Sequence, residues 1–320
     1  MELKEADYKL LNYLYHNYDE PLSKIAKATK LSRDQVEYRI NKYLKERLIR
    51  KFFPIFDWSA LGYKLYVALF LKFESPKTAE EFTKNLNKSK NCITYGRIYG
   101  KFDLFLECIF KDENEMNNFI SGLFEDKTNY IKDYTAINPQ FAEIYPLKFF
   151  DDFNKESYIL SNRTNKEIKL DKTDLKILKI LSEDGRAKLI DIAINSEISS
   201  ELALYRLKKL KREKILLGNR IQFNMSVLGY FYTTIWINFR HFSEANKNKI
   251  KSFAKSSKNI NSLIFNLQNP SCIVKLFHKD EKEVRTAVDQ IKELFYDESI
   301  EMEIIPVGED EEVIRPLPFL

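Results

Sequence analysis

The stretch LDKTDLKILKILSEDGRAKLIDIAINSEISSELALYRLKKLKREKILL, residues 170–217, decides how the rest of the chain is read. Leu175, Ile177, Leu178 and Leu181 recur at helical spacing between Asp174 and Ser182, with Lys172, Lys176 and Lys179 outside, which predicts a first helix packed on one face. Leu189, Ile190, Ile192, Ala193 and Ile194 predict a short second helix, broken by the polar Asn195-Ser196-Glu197. Ser199 offers a hydroxyl N-cap for a third helix, with Ala203, Leu207 and Leu210 inward and Arg206, Lys208, Lys209 and Arg212 outward. Three helices, the last one basic, describe a helix-turn-helix whose third helix suits a DNA major groove. Ile215 to Phe223, with Gly218 and alternating apolar residues, follows as a small wing or a linking strand.

The same pattern occurs earlier in the chain. Sliding the stretch back by 167 positions without a gap lays Asp174 on Asp7, Leu178 on Leu11, Leu181 on Leu14, Ile192-Ala193 on Ile25-Ala26 and Ser199 on Ser32. Arg206 falls on Arg39, Leu207 on Ile40, and Leu228-Gly229-Tyr230 on Leu61-Gly62-Tyr63, so an internal duplication is expected. In the first copy Ser32 and Gln35 form a capping-box pattern, and Val36, Ile40 and Tyr43 or Leu44 face inward. That leaves Arg33, Glu37, Tyr38 and Lys42 near the outer surface, with Arg39 at its border. A basic helix face is often merely solvated, but here the charge sits on the third helix, where phosphate neutralisation would be needed. In the second copy Leu202, Leu204 and Tyr205 replace Gln35, Glu37 and Tyr38. The N-terminal half of that helix is therefore apolar nearly all round, while Lys208, Lys209, Lys211, Arg212 and Lys214 keep its C-terminal half basic.

After each helical head the periodicity changes. Strands at Tyr63–Phe73, Ile93–Ile98, Leu104–Phe110 and Tyr130–Ile137 alternate with helices at Thr78–Leu86 and Glu113–Phe124. The second copy repeats this with strands at Tyr232–Phe239, Ile260–Leu267, Cys272–Phe277 and Ile300–Val307 and helices at Glu244–Ala254 and Glu281–Phe295. The order β-α-β-β-α-β is ferredoxin-like. Each half closes on an Ile-x-Pro-Leu-x-Phe pattern, Ile144 to Phe149 and Ile314 to Phe319, expected to pack back as extended segments. For the second tail, preceded by Glu309 to Glu312, partner binding is the alternative. The expected fold is α+β, with two winged helix-turn-helix domains (1–58 and 169–225) alternating with two ferredoxin-like domains (59–147 and 226–308). A linker covers 148–168 and a tail 309–320, and the chain forms a pseudo-dimer by itself.

Asp-x-x-Ile-Leu-x-x-Leu (174–181), Asp-Gly-Arg (184–186), Ile-Ala (192–193), Ile-Ser (198–199) and Arg-Leu-x-x-Leu (206–210) resemble the winged helix-turn-helix of the Lrp/AsnC feast/famine regulators. So do the downstream Ile215 and Leu228-Gly229. The first copy keeps Leu31-Ser32 and Arg39 but has Tyr18-Asp19-Glu20 where Asp-Gly-Arg would be. The resemblance implies a sequence-specific transcriptional regulator with double-stranded DNA as partner. Candidate contacts are Ser32, Arg33, Gln35, Tyr38, Arg39 and Lys42 in the first head, and Ser199, Ser200, Tyr205, Arg206 and Lys209 in the second. It also implies sensing and assembly by the ferredoxin-like domains. Gly100-Lys101-Phe102-Asp103 looks like the family's Gly-x-x-Asp turn, near which an amino-acid effector binds, so Gly100, Phe102 and Asp103 are candidate effector contacts; a plain β-turn with a capping Asp reads equally well. The second copy has Leu267-Gln268-Asn269-Pro270 there, so any effector site is single or absent. Further homodimers or larger assemblies are compatible with the resemblance.

Composition narrows the alternatives. With 52 Lys and Arg against 47 Asp and Glu, the net charge of +5 permits nucleic acid without demanding it. The longest apolar run, Leu65 to Leu71, is too short for a membrane span, and Met1 is followed by Glu2, Lys4 and Glu5 rather than a signal sequence, so a cytoplasmic protein is expected. Cys92, Cys108 and Cys272 form no Cys-x-x-Cys pair and read as buried thiols. His16, His241 and His278 occupy no catalytic or metal-ligand spacing, and eight glycines leave little for a phosphate loop, so neither enzyme activity nor a cofactor or metal is expected. Two alternatives stand. The siroheme decarboxylases are similar in fold, but their His-Asn-Tyr motif appears here only as His16-Asn17-Tyr18, on the first helix of the wrong domain. The other is a protein-interaction adaptor docking through Leu202 and Leu204.

Overall fold

The computed structural model describes residues 3–125, 130–148, 157–160, 167–308 and 313–320. Most of the expected linker, the start of the tail at 309 and Phe149 lie outside these residues. Two compact units result: Met1–Gly62 with Asn165–Leu228 and Arg315–Leu320, and Tyr63–Thr164 with Gly229–Ile314.

The first unit holds both helical heads. Head one is α1 (Glu5–Asn17), α2 (Leu22–Thr29), α3 (Arg33–Lys45) and β1 (Ile49–Phe56). Its core is the apolar stripe of each helix, with Leu10, Leu11, Leu14, Ile25, Val36 and Tyr43 buried; Leu44 faces solvent. Head two is α6 (Lys172–Glu183), α7 (Leu189–Asn195), α8 (Ser200–Arg212) and β8 (Leu216–Phe223), around Ile177, Leu178, Ile192, Ala203 and Leu210. Leu317 from the end of the chain is buried in this second core, and the Trp58 indole donates to the Pro316 carbonyl at 2.8 Å.

The segment after α8, expected to be a wing or a linking strand, is a linking strand. β1 and β8 pair antiparallel, from Ile49 opposite Phe223 to Phe56 opposite Leu216. Phe53 faces Arg220, its own counterpart 167 residues on. The ladder is closed at either end by equivalent bonds, Asn224 N–H to Leu48 O and Asp57 N–H to Ile215 O, both 2.9 Å. The two heads are therefore related by a pseudo-two-fold axis through the Phe53–Arg220 pair. Polar contacts reinforce the junction. Arg186 donates to Tyr18 O at 2.6 Å and lies over the Phe52 ring, Asn219 donates to His16 O and Asp19 Oδ1, and Lys211 pairs with Asp19 at 2.6 Å.

The second unit holds two βαββαβ domains. In chain order the first is β2 (Leu65–Phe73), α4 (Pro76–Leu86), β3 (Cys92–Arg97), β4 (Leu104–Phe110), α5 (Glu113–Glu125) and β5 (Ile131–Ile137). Two short strands follow, β6 (Phe141–Ile144) and β7 (Tyr158–Ile159). The second domain is β9 (Phe231–Phe239), α9 (Glu244–Ser256), β10 (Ile260–Phe265), β11 (Cys272–His278), α10 (Glu281–Leu294) and β12 (Ile300–Val307), with β13 (Val313–Ile314) after it. The helices cover one face of each sheet, and the other faces meet across Phe70, Phe102, Phe105, Trp236, Ile264 and Ile273. Phe70 and Trp236 meet edge to face at 4.6 Å, and Lys275 reaches across to Glu107 at 2.5 Å.

Each short terminal strand crosses to the other domain. The sheets run β13-β3-β4-β2-β5 and β12-β9-β11-β10-β6-β7. Ile144 of β6 stands opposite Ser262, and Ile314 of β13 opposite Thr94. These are equivalent positions in the two halves, so the exchange is reciprocal. Tyr145 behind β6 is buried in the second domain's core, and the Lys148 ammonium caps the end of α9 through Ala254 O and Ser257 O at 2.5 and 2.7 Å. The three cysteines are free and buried. Among the described residues no helix is long and apolar enough to cross a membrane.

Gly185 marks how closely the heads approach. A Cβ there would lie 2.6 Å from Tyr18 Oη and 2.8 Å from Phe52 O, while its N–H donates to Phe52 O at 2.9 Å. Gly185→Ala should therefore destabilise the head unit by about 1–3 kcal/mol, the usual cost of overpacking. Gly122→Ala, in helix α5 with open space around it, should be neutral or stabilise by up to about 1 kcal/mol. Denaturant unfolding of the two variants checks the contrast.

Candidate nucleic-acid interface

Each head presents its third helix in the same way, and the sequence dictates how. Ser32 accepts from the Gln35 N–H at 3.1 Å while the Gln35 side chain accepts from the Ser32 N–H at 2.9 Å, which completes the capping box. Ser199 caps α8 by accepting from the Leu202 N–H at 3.2 Å. Capping sets where each helix begins and so which side chains point outward. With Val36, Ile40 and Tyr43 inward, α3 exposes Arg33, Asp34, Glu37, Tyr38 and Lys42; Tyr38 is 68% exposed. Lys42 has only a loose exposed partner, Glu46 at 3.8 Å. On α8, with Ala203 and Leu210 inward, Glu201, Leu202, Leu204, Tyr205, Lys208 and Arg212 face out, and Ser200 is half-buried.

Arg39 and Arg206 behave differently from the rest of the expected contacts. Arg39 is ion-paired with the Asp7 carboxylate, which also accepts from Tyr43 Oη at 2.6 Å. Arg206 is held between Asp171 and Asp174, the latter at 3.0 Å, and Lys209 approaches Asp174 at 3.8 Å. Asp7 and Asp174 are buried, so each arginine ties the recognition helix to the start of its head's first helix. These arginines position α3 and α8 rather than offer free charge. The sequence held the signal: an Asp and an Arg 32 residues apart recur in both copies.

Burial opposes the charged form of Asp7, but hydrogen bonds from Tyr43, the Lys4 backbone and Arg39 outweigh it and hold the carboxyl below its ordinary range. The same arrangement pushes the Tyr43 hydroxyl well up, first through burial and then through Asp7.

The candidate effector turn is only partly open. Gly100 adopts φ 118° with nothing near its Cα side. Asp103 already accepts from Lys72 Nζ and from the Phe73 N–H, both at 2.8 Å. Phe102 is fully buried between Phe70 and Trp236 and belongs to the core between the sheets. In the second domain Ser271 takes the place of Asp103, accepting from the Phe239 N–H at 3.3 Å, and Asn238 takes that of Lys72. The backbone role survives there without the charge. Among the described residues no group of three or more His, Cys, Asp or Glu is placed to hold a metal ion.

Capped, outward-facing third helices on two three-helix heads define a helix-turn-helix protein, and comparison with known proteins agrees. The model of the winged helix-turn-helix DNA-binding family matches residues 170–216. The chain is 30% identical over 118 residues to the HTH-type transcriptional regulator FL11 of Pyrococcus horikoshii, covering 37% of this chain and 78% of that protein. It is 35% identical over 88 residues to the leucine-responsive regulatory protein of Rhizobium meliloti, covering 27% of this chain and 54% of that protein. The chain belongs to the Lrp/AsnC-like family of HTH-type transcriptional regulators. The structure also resembles the siroheme decarboxylase NirDL, solved with an iron-uroporphyrin III analogue, at a TM-score of 0.66 over 98% of this chain and 96% of that one. At 14% identity this likeness is one of fold.

The Asp7 carboxyl has a pKa in the folded state below its ordinary value of 3.8. Its contribution to stability is therefore complete above that value and disappears as the pH falls through the folded value. Asp7→Asn should unfold at lower denaturant at pH 6, by about 2–4 kcal/mol, and the gap should narrow as the pH falls below the ordinary value of 3.8. Chemical denaturation of both proteins across pH 3–7 reads this directly.

Proposed function

We propose that the chain is a DNA-binding transcriptional regulator that arose by tandem duplication of a head-plus-sensing unit, so that one chain supplies both halves of the family's dimer. The gap-free 167-residue register, the Phe53–Arg220 pair and the reciprocal strands β6 and β13 support the duplication. Its domains lie near 1–58, 59–147, 169–225 and 226–308. The observation that carries the DNA reading is the capped third helix of each head, fixed from behind by an Asp–Arg pair and turning Arg33, Tyr38 and Lys42, or Tyr205, Lys208 and Arg212, outward. Guanidinium and ammonium groups neutralise phosphates, and tyrosine and arginine reach base edges. Because the outward residues of α3 and α8 differ, the preferred site is asymmetric, with half-sites one helical turn, about 34 Å, apart.

We read the chain as a binding protein rather than an enzyme. His278 supports this, since its ring is engaged by Thr233 Oγ1 at 2.8 Å and Asp280 O at 3.1 Å as part of the sheet. An amino-acid effector at the Gly100–Asp103 turn would bring an ammonium group to compete with Lys72 for Asp103.

Selection of genomic fragments by the full-length protein, followed by sequencing, tests the DNA reading. A compact asymmetric motif is expected, and absence of enrichment overturns the proposal. With six or more phosphate contacts the affinity should fall by about 10³-fold or more between 50 and 200 mM salt. Lys42→Ala and Lys208→Ala should each lower affinity for all sequences alike and reduce the salt slope by about 1, whereas Arg33→Ala should also relax the preferred motif. Fluorescence anisotropy over a salt series checks these outcomes.

A further inference from the structure

The two heads are alike inside and unlike outside. At four exposed positions head one carries Ser23, Lys27, Gln35 and Glu37, and head two carries Ile190, Ile194, Leu202 and Leu204. A serine N-cap on the third helix and a buried Asp–Arg pair recur in both heads, and of the four exchanges only Gln35 to Leu202 touches the scaffold, removing the return half of the capping box. Leu202 and Leu204 lie on the N-terminal half of α8, 38% and 42% exposed, on either flank of the exposed Tyr205. Neither side chain belongs to the head's buried core.

A recognition helix that enters a major groove meets hydrogen-bonding edges almost everywhere, and the apolar group the bases offer there is the thymine C5-methyl. Polar residues at these positions, as in head one, pair with donors and acceptors. Leucines instead gain by removing methyl groups from water, a contact that G·C pairs, with no methyl in the groove, do not offer. The rest of α8 suits the same occupant, because Lys208 and Arg212 stand exposed one and two turns beyond the leucines, a basic run continuing along an apolar tip.

We propose that head two is a thymine-methyl reader: Leu202 and Leu204 select thymines in their half-site by apolar contact, while head one reads its half-site through polar side chains. This rests on the DNA-binding reading of the chain and sets the specificity of its second half. Burying one methyl group is worth about a fourfold change in affinity.

Uracil supplies the test, because it keeps every hydrogen-bonding edge of thymine and lacks only the methyl. A duplex selected by the full-length protein is synthesised with each thymine in turn replaced by uracil, and binding is measured by anisotropy. One or more uracils in the half-site assigned to head two should weaken binding about fourfold each, and Leu202→Ala or Leu204→Ala should remove that sensitivity. Uracils in the other half-site, which head one reads through polar side chains, should leave binding unchanged. Both leucines are partly exposed, and the uracil series on the parent protein needs no variant. Tight binding with no uracil effect in the second half-site overturns the proposal while leaving DNA binding intact. Leucine variants whose affinity and uracil sensitivity match the parent would likewise overturn it. Failure to select any duplex overturns both readings.

Discussion

A strand that follows a three-helix head has one hydrogen-bonded edge at most to call its own, and left alone it exposes a row of N–H and C=O groups. The antiparallel ladder of β1 on β8 resolves this for both heads at once. Neither strand has another strand partner in its sheet, and each head's last helix leads straight into it. The pairing brings Gly185 against Phe52, lays Arg186 over the same ring and sets Asn219 beside Asp19. It also imposes the pseudo-two-fold relation, since a ladder in which Phe53 meets its own counterpart admits no other.

The second unit meets the same constraint in the same way. The edge strands β3 and β10 would each end their sheet, and each is covered by a short strand from the opposite half. The exchange ties each domain to the segment that follows the other, in the manner of swapped dimers, but within one chain. Side chains then fill what the backbone has arranged. Phe70, Phe102 and Trp236 pack between the sheets, and Tyr145 and Lys148 anchor the first crossing segment on the second domain.

The two heads are alike in their interiors and differ at their surfaces. Asp7–Arg39 and Asp174–Arg206 hold the two recognition helices in equivalent ways, because removing one partner would leave a buried charge uncompensated. Exposed positions carry no such penalty. The two copies are therefore at liberty to differ where they would meet a partner, as α3 and α8 do. A homodimer of identical heads has no such freedom.

Local sequence accounted for the elements themselves. Apolar spacing placed the six head helices and the eight strands of the two ferredoxin-like domains within a few residues, and Ser32 and Ser199 named the starts of α3 and α8. Three features were not legible in this way. β6, β7 and β13 are two to four residues long and pair with residues more than ten positions away in sequence, so periodicity has nothing to register. Arg39 and Arg206 look like surface cations on a helix and become structural only when α3 and α8 fold against Asp7 and Asp174. Phe102, beside a glycine in a turn, reads as a ligand contact, yet the second sheet buries it. What the sequence by itself determined is whatever depends on neighbours a few residues apart: helix, strand, cap and repeat. Which strand pairs with which, which charge is neutralised and which aromatic is covered were decided only by tertiary structure, because those free energies arise between residues that the chain brings together from tens to hundreds of positions apart.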